Sequence, residues 1–169
     1  ISSEIASNVA KDNPVVFTGD RVLGTKKDLS LIYLLISDLV KVEGIVELRI
    51  DRSNILPHLA LLNSYDSSIY DSLQNIEFSK IGTLLNSPGK VECLLKTELG
   101  TSHLIELETN QVFVMPMDEN TQGNIVVKNA NLGSFEAEVS GGELGFILDT
   151  REKNSPNYLV ERFKEKNLN

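Results

Sequence analysis

The second half of this chain is a succession of short apolar segments separated by turn residues, and this pattern limits the folds open to it. In one of these segments, Phe135, Ala137 and Val139 alternate with two glutamates, so one face is expected to be buried and the other wet. The segments with strand-like composition are Lys90–Glu98, His103–Glu108, Gln111–Met117, Asn124–Lys128, Ser134–Ser140 and Leu144–Leu148. Short strands at this spacing predict a small antiparallel β-barrel or sandwich.

The residues before Phe78 have mixed periods, which indicate an α/β arrangement. Val15–Phe17 and Ile45–Ile50 are apolar runs of strand length that end in polar turn residues. Helices are predicted at Ser3–Ala10, Asp28–Val42, Ile55–Leu62 and Asp66–Leu73. Strands that alternate with helices favour a parallel sheet.

The predicted fold class is therefore α+β. An α/β portion with a parallel sheet and helices spans residues 1–76, and the antiparallel β domain spans residues 77–151. Residues 152–169 form a tail with a charged C-terminal helix at Tyr158–Lys166.

Composition narrows the classes of partner. The 169 residues include 16 Lys and Arg against 24 Asp and Glu, a net charge of -8 shared equally by the two parts. A binder of nucleic-acid backbone needs a basic face, so no nucleic-acid partner is predicted. The longest apolar stretch, Leu29–Val42, is too short and too polar to span a bilayer, so no membrane partner is predicted either.

The single cysteine, Cys93, excludes an internal disulfide and a multi-cysteine zinc site. It fits a reducing compartment, and the chain does not start with a signal-peptide pattern, so we expect a cytoplasmic protein.

The run Thr18-Gly19-Asp20 is the candidate cofactor-binding segment. It follows a predicted strand and precedes a predicted helix, which is the edge of a parallel sheet where ligands usually bind. Glycine there lets the backbone approach a flat ligand closely. The alternative is an ordinary turn between a strand and a loop.

Other residues that carry chemistry have structural explanations in this sequence. Asp51 and Arg52 could close a site, but capping of the next helix is the favoured role. His58 is expected to be partly buried and His103 exposed, and Cys93 is expected to be a buried thiol. The glutamate pairs 106/108 and 136/138 lie at alternate positions, as on a solvated strand face. We predict no catalytic residue and no metal site.

The glycine-rich run Ser140–Arg151 is the most distinctive local sequence. Three glycines open its apolar segment, and a polar Asp-Thr-Arg step closes it. This composition predicts a tight turn and a strand packed closely against another backbone.

These segments carry a family resemblance. Ile50–Leu62 has an Asp-Arg step leading into an Ile-Leu-Pro-x-Leu-x-x-Leu pattern, and Gly141–Arg151 has a Gly-Gly-x-Leu-Gly start and an Asp-x-Arg end. With the turn Phe17–Asp20 and the step Gly82-Thr83, most of the chain resembles the later part of the accessory protein encoded with adenosylcobalamin-dependent glutamate mutase (the MutL/GlmL type). That family is similar to the actin/sugar-kinase/Hsp70-like ATPase superfamily.

The resemblance implies a function for a larger protein. Residues 1–76 would belong to an ATPase-like lobe, with Thr18 and Gly19 against adenosine and Asp20 in place of the superfamily's second glycine. The phosphate-binding loops would lie upstream of Ile1, so we expect a fragment that is not catalytic alone and holds no cofactor, whereas the full-length protein would bind ATP and magnesium. The β domain would contact a mutase subunit or the other lobe of the same chain, in a reactivating or chaperone-like role.

Two other functions remain open. One is a non-enzymatic protein-interaction module built on the β domain. The other is a β-barrel that binds carbohydrate or another small ligand, which is weaker because Tyr158 is the one tyrosine after Phe78 and the chain has no tryptophan.

Overall fold

β-Strands dominate the described residues. The structure is a computed structural model, and it describes residues 14–18, 40, 43–63 and 78–152. The strands of this part are β1 (Val15–Thr18), β2 (Gly44–Asp51), β3 (Ser79–Asn86), β4 (Val91–Thr97), β5 (Ser102–Leu107), β6 (Val112–Met115), β7 (Gln122–Asn129), β8 (Gly133–Ser140) and β9 (Gly145–Asp149). One helix, α1 (Ile55–Asn63), follows β2 within these ranges.

The strands form two sheets. The mixed sheet has the order β1-β2-β3-β9-β6, and the antiparallel sheet has the order β5-β4-β7-β8. In the mixed sheet β1 pairs with β2 in parallel and β3 pairs with β9 in parallel, whereas β2–β3 and β6–β9 are antiparallel. The mixed sheet therefore contains strands from both sides of the predicted boundary at residues 76 and 77.

Two apolar cores lie on the two faces of the mixed sheet. The first core lies between the sheets, where Leu85, Phe146 and Leu148 meet the inward side chains of β4, β7 and β8. The second core contains Leu48, Leu84 and Ile147, from the other face of the mixed sheet. Strand β9 contributes to both cores, which is why its sequence is continuously apolar and not alternating.

Four glycines let backbones touch where the sheets and turns meet. A Cβ atom on Gly82 would lie 2.3 Å from the carbonyl oxygen of Gly145, and one on Gly145 would lie 2.3 Å from that of Met115. Gly141 and Gly142 are equally close to neighbouring main chain. The prediction that the glycine-rich run packs a strand against another backbone is confirmed.

The predicted fold class is wrong. Strands account for 57% of the described residues, the described part has one short helix, and the two sheets do not form a closed barrel. The parallel pair β1–β2 does not continue as a parallel sheet with helices, because β2 pairs next with the antiparallel β3. Periodicity identified strands, but the neighbour of each strand depends on distant parts of the chain.

The predictions of individual helices and strands are more accurate than the prediction of the fold class. The helix predicted at Ile55–Leu62 is confirmed as α1. The strands predicted after residue 90 match β4 to β9 within a few residues. The helices predicted at 3–10, 66–73 and 158–166 lie outside the described residues, as does the helix at 28–42 except for the buried Val40. The division into domains stays a prediction.

Candidate functional site

Thr18, the described residue of the predicted cofactor segment, ends β1 beside Asp51 at the end of β2. Its hydroxyl donates to Oδ1 of Asn54 at 3.0 Å and lies 3.4 Å from Oδ2 of Asp51. Gly19 and Asp20 lie outside the described residues. The described part of the segment therefore contributes one exposed threonine whose hydroxyl already has partners.

Asp51 holds the start of α1. Its side chain is buried, and Oδ2 accepts a hydrogen bond from the backbone N–H of Leu56 at 2.8 Å. Burial alone would raise the pKa of this carboxyl, but hydrogen bonds from the backbone of Leu56 and Ile55, and then from Thr18, outweigh burial and lower its pKa. The carboxylate thus caps the helix as predicted.

Arg52 joins two parts of the chain that are far apart in sequence. Its Nη2 forms an ion pair with Oε1 of Glu143, in the turn that follows β8. Both side chains are about half exposed. The pair brings the Asp-Arg step and the Gly-Gly turn into contact, although it is too exposed to add much stability.

The histidines and the cysteine do not form a reactive group. His103 is exposed, as predicted, whereas His58 is exposed and not partly buried, so that expectation is wrong. Cys93 lies in the core between the sheets, where burial raises the pKa of its thiol to about 12. A thiol with this pKa is a poor nucleophile at neutral pH. Within the described ranges, no group of three or more His, Cys, Asp or Glu side chains could hold a metal ion.

The predicted glutamate pairs lie on solvated surfaces. Glu106, Glu108, Glu136 and Glu138 are all exposed, and Glu108 accepts a hydrogen bond from Nζ of Lys90 at 2.6 Å. The prediction of a wet strand face is confirmed for these residues.

A polar cleft opens where the two sheets meet. Its volume is about 80 Å³, and it is lined by Glu47, Lys80, Thr83, Gln122, Glu138, Val139 and Ser140. Glu47 is bonded on both sides, to Nε of Arg49 at 2.5 Å and to Nζ of Lys80 at 3.0 Å. The Thr83 hydroxyl donates to the carbonyl oxygen of Ser140 at 2.8 Å. The principal polar groups of the cleft therefore bind one another.

The outer face of the antiparallel sheet carries an unexpected apolar row, formed by Leu104, Leu94 and Val126. Leu94 of β4 is directly opposite Leu104 of β5 and Val126 of β7. Leu104 is 62% exposed, and the other two side chains are half-buried. Because the three residues lie side by side across three strands, they form one continuous apolar strip on a solvated face.

Polar side chains flank the apolar row on both sides. One flank is the charged row Lys128, Glu92 and Glu106, and the other flank consists of Asn124, Lys96 and Ser102. All six side chains are exposed. An apolar centre with a polar rim is the usual anatomy of a protein interface.

Sequence reasoning missed this face, although a signal was present. In an alternating strand the residue between two core residues should be polar. Leu94 and Val126 are apolar residues between two buried residues, and Leu104 is an apolar outward residue next to the buried Ile105. The three exceptions lie on three different strands, and only the strand register shows that they are neighbours on one surface.

Comparison with protein-family models, with curated proteins and with solved structures gives no match to this chain. Among the described residues, no helix is long and apolar enough to cross a membrane.

Proposed function

We propose that this chain is a non-enzymatic protein-interaction module that binds its partner through the outer face of the antiparallel sheet. The observation that carries the proposal is the apolar row, because three aligned apolar side chains on a solvated sheet face gain free energy when a partner covers them. The neighbouring strands hold the row in place, so binding needs little ordering of the module.

Chemical features of the described residues support binding more than catalysis. The cysteine is buried with a raised pKa, the two histidines lie on different elements, and the polar groups of the cleft bind one another. The free thiol of Cys93 also supports our inference of a cytoplasmic location.

A site-specific photo-crosslinker tests the proposed surface. We would place it at position 104 or 126 in the protein inside cells, with position 99 as the matched control. Leu99 is 79% exposed but lies in the turn after β4, away from the apolar row. The same partner should crosslink from positions 104 and 126 but not from 99.

The affinity of that purified partner gives the second measurement. Leu104→Lys should weaken binding by at least about tenfold, as expected for a central interface residue, whereas Leu99→Lys should not change it. Equal adducts at all three positions, or equal affinity of the two variants, would show that the outer face is not the binding surface.

A second candidate is that the module belongs to an ATPase-like accessory protein of an adenosylcobalamin-dependent mutase. The observation in its favour is the Arg52–Glu143 ion pair, because it joins the two segments that carry the resemblance. In this proposal the full-length protein binds ATP and magnesium, and the module contacts a mutase subunit or the other lobe of the same chain.

The resemblance places adenosine, and not the phosphates, against Thr18. The Thr18 hydroxyl is bonded to Asn54 and lies beside the Asp51 carboxylate, which would repel an anion, so the phosphates of a nucleotide would bind elsewhere in the larger protein. Calorimetry of the natural full-length protein with ATP and magnesium tests this second candidate, and an absence of magnesium-dependent binding would reject it without affecting the interaction surface.

A further inference from the structure

We propose that β5 is an acceptor edge to which a partner protein adds an extended strand, with an apolar residue opposite Leu104 and a basic residue opposite Glu106. The inference rests on the proposed function, since it names the chemistry of the partner at the same surface. Strand addition of this kind combines main-chain hydrogen bonds with side-chain selection at alternate positions.

The two edges of the antiparallel sheet differ in that the end of one of them is bonded to the mixed sheet. β8, at one edge, ends at Ser140, whose backbone N–H and carbonyl both bond to the Thr83 hydroxyl of the mixed sheet. β5, at the other edge, has no sheet neighbour besides β4 in the part of the chain that the structure describes.

β5 also lacks most of the features that usually protect an edge strand from pairing, and Glu106 is its one charged residue. Its six residues, Ser-His-Leu-Ile-Glu-Leu, contain no proline, lysine or arginine. Its register with β4 is continuous over six residue pairs and has no bulge. Natural edge strands are commonly blunted by one of these devices, so a regular strand without them is suited to accept another strand.

The apolar row is the reason why we expect an apolar residue on the added strand. The row runs from Val126 through Leu94 and ends at the open edge with Leu104, which is its most exposed member. A strand added beside β5 places one side chain directly opposite Leu104. An apolar side chain at that position extends the row and removes Leu104 from water.

The charged row is the reason why we expect a basic residue on the added strand. Lys128 binds Glu92 at 3.1 Å, but the next residue across the sheet is Glu106, directly opposite Glu92. Like charges in this relation are unfavourable. Glu106 forms no ion pair within the described ranges, and Lys90, whose charge also interacts with Glu106, is bonded to Glu108. A Lys or Arg on the added strand opposite Glu106 gives this carboxylate a neighbour of opposite charge.

These two requirements fix the spacing in the partner. Leu104 and Glu106 are two residues apart on one face, so the partner's apolar and basic residues are also two apart. A second copy of β5 does not meet the requirement. In antiparallel pairing centred on Leu104, each Glu106 faces Ser102 of the other copy, and in parallel in-register pairing it faces Glu106. The net charge of -8 further opposes self-association.

A synthetic peptide provides the probe. We would use a peptide with the core Lys-Val-Leu-Thr-Thr, and as control the same peptide with Glu in place of Lys. Nuclear magnetic resonance should show amide shifts centred on β5, and the Lys peptide should bind at least about tenfold more tightly than the Glu peptide. Glu106→Lys should reverse this preference, and Glu106→Gln should abolish it. Glu136→Lys, at a glutamate of the same face on β8, should leave the preference unchanged.

Main-chain methylation separates strand addition from docking on the sheet face. N-methylation of alternate peptide residues should abolish binding for one alternate set and spare it for the other, because successive N–H groups of a strand point in opposite directions. Equal effects of both sets would overturn the edge proposal, as would a preference that Glu106→Lys does not reverse, or a β5-dependent dimer in sedimentation. Crosslinking from positions 104 and 126 would still support the face as an interface in the first two cases.

Discussion

Arg151 and Asp149 form a two-pronged ion pair inside the protein. Nε of Arg151 donates to Oδ1 of Asp149 at 2.9 Å, Nη2 donates to Oδ2 at 2.8 Å, and both side chains are completely buried. The backbone N–H of Arg151 also donates to Oδ1, at 3.0 Å. The pair lies at the end of β9, where Asp149 is opposite Asn86 of β3 and Val112 of β6.

Removal of one member of this pair should be strongly destabilising. Arg151→Met leaves the Asp149 carboxylate buried without its charge partner, so the free energy of unfolding should fall by about 3–5 kcal/mol. Urea denaturation checks this value. The matched control is Lys90→Met, which breaks the exposed, solvent-screened ion pair with Glu108 and should change the stability little. Equal losses in the two variants would contradict the prediction.

Gly142 should tolerate no side chain. The φ of Gly142 does not lie in the left-handed region, so an alanine there would suffer only from lack of space. The Cβ of that alanine would lie 2.4 Å from the carbonyl carbon of Ile81. We expect Gly142→Ala to lower the free energy of unfolding by about 3 kcal/mol, because the added Cβ meets backbone atoms and a main chain must shift to admit it. Gly133→Ala is the control. It has a φ of +77° but no atom within 4 Å of the added Cβ, and should cost about 1–2 kcal/mol.

The Asp51 cap should make part of the stability depend on pH. Its pKa in the folded protein lies below that of the unfolded chain, so its contribution is present above the unfolded pKa and is lost as pH falls through the folded pKa. Asp51→Asn keeps an oxygen that can accept from the Leu56 N–H but removes the charge near the start of α1, so it should lower the free energy of unfolding by about 0.3–1 kcal/mol at pH 7. This difference from the wild type should shrink below about pH 4, where the carboxyl of the unfolded chain takes up a proton, and should vanish as pH falls through the lower pKa of the folded protein. Denaturation curves of both proteins from pH 7 to pH 3 test the trend, and a difference that grows on acidification would refute it.

Cys93 should be chemically silent in the native protein. Burial raises the pKa of its thiol to about 12, so little thiolate exists at pH 8 and the sulfur is not accessible. A thiol reagent should therefore label the native protein only at the rate of unfolding and should label one thiol per chain in denaturant. Rapid labelling at pH 8 without denaturant would show that the thiol is accessible.

Local features of the chain were predictable where a short stretch determines them. The Asp51 cap depends on residues within five positions of it, and the burial of Cys93 follows from the alternation of β4. The close backbone packing of Gly141 and Gly142 was also predictable, because glycine clusters in apolar runs signal such contacts. The exposure of His58 was not, since the packing of α1 depends on more than its own sequence.

The candidate site shows the same limit. Thr18 was a candidate because ligands usually bind at the carboxyl ends of the strands in a parallel sheet. Whether the chain forms such a sheet depends on which strands become neighbours. The parallel pair β1–β2 was within reach of the sequence pattern, whereas the antiparallel partner of β2 was not. The apolar row escaped notice because its members are separated by chain segments of different lengths.

Periodicity along the chain was enough to locate most of the strands, although not β3, and to identify the buried face of the alternating ones, and the charge count showed that both parts of the chain are acidic. The folded chain was needed to show that β2, β3 and β9 share one sheet, that Asp149 and Arg151 are buried together, and that Leu94, Leu104 and Val126 lie side by side. The reason is physical: alternation along a strand is a local property of the backbone, whereas every strand offers the same hydrogen-bonding groups at both edges. The choice of neighbour therefore depends on how all the strands pack together, and the surface that we propose as the interface exists only after that choice is made.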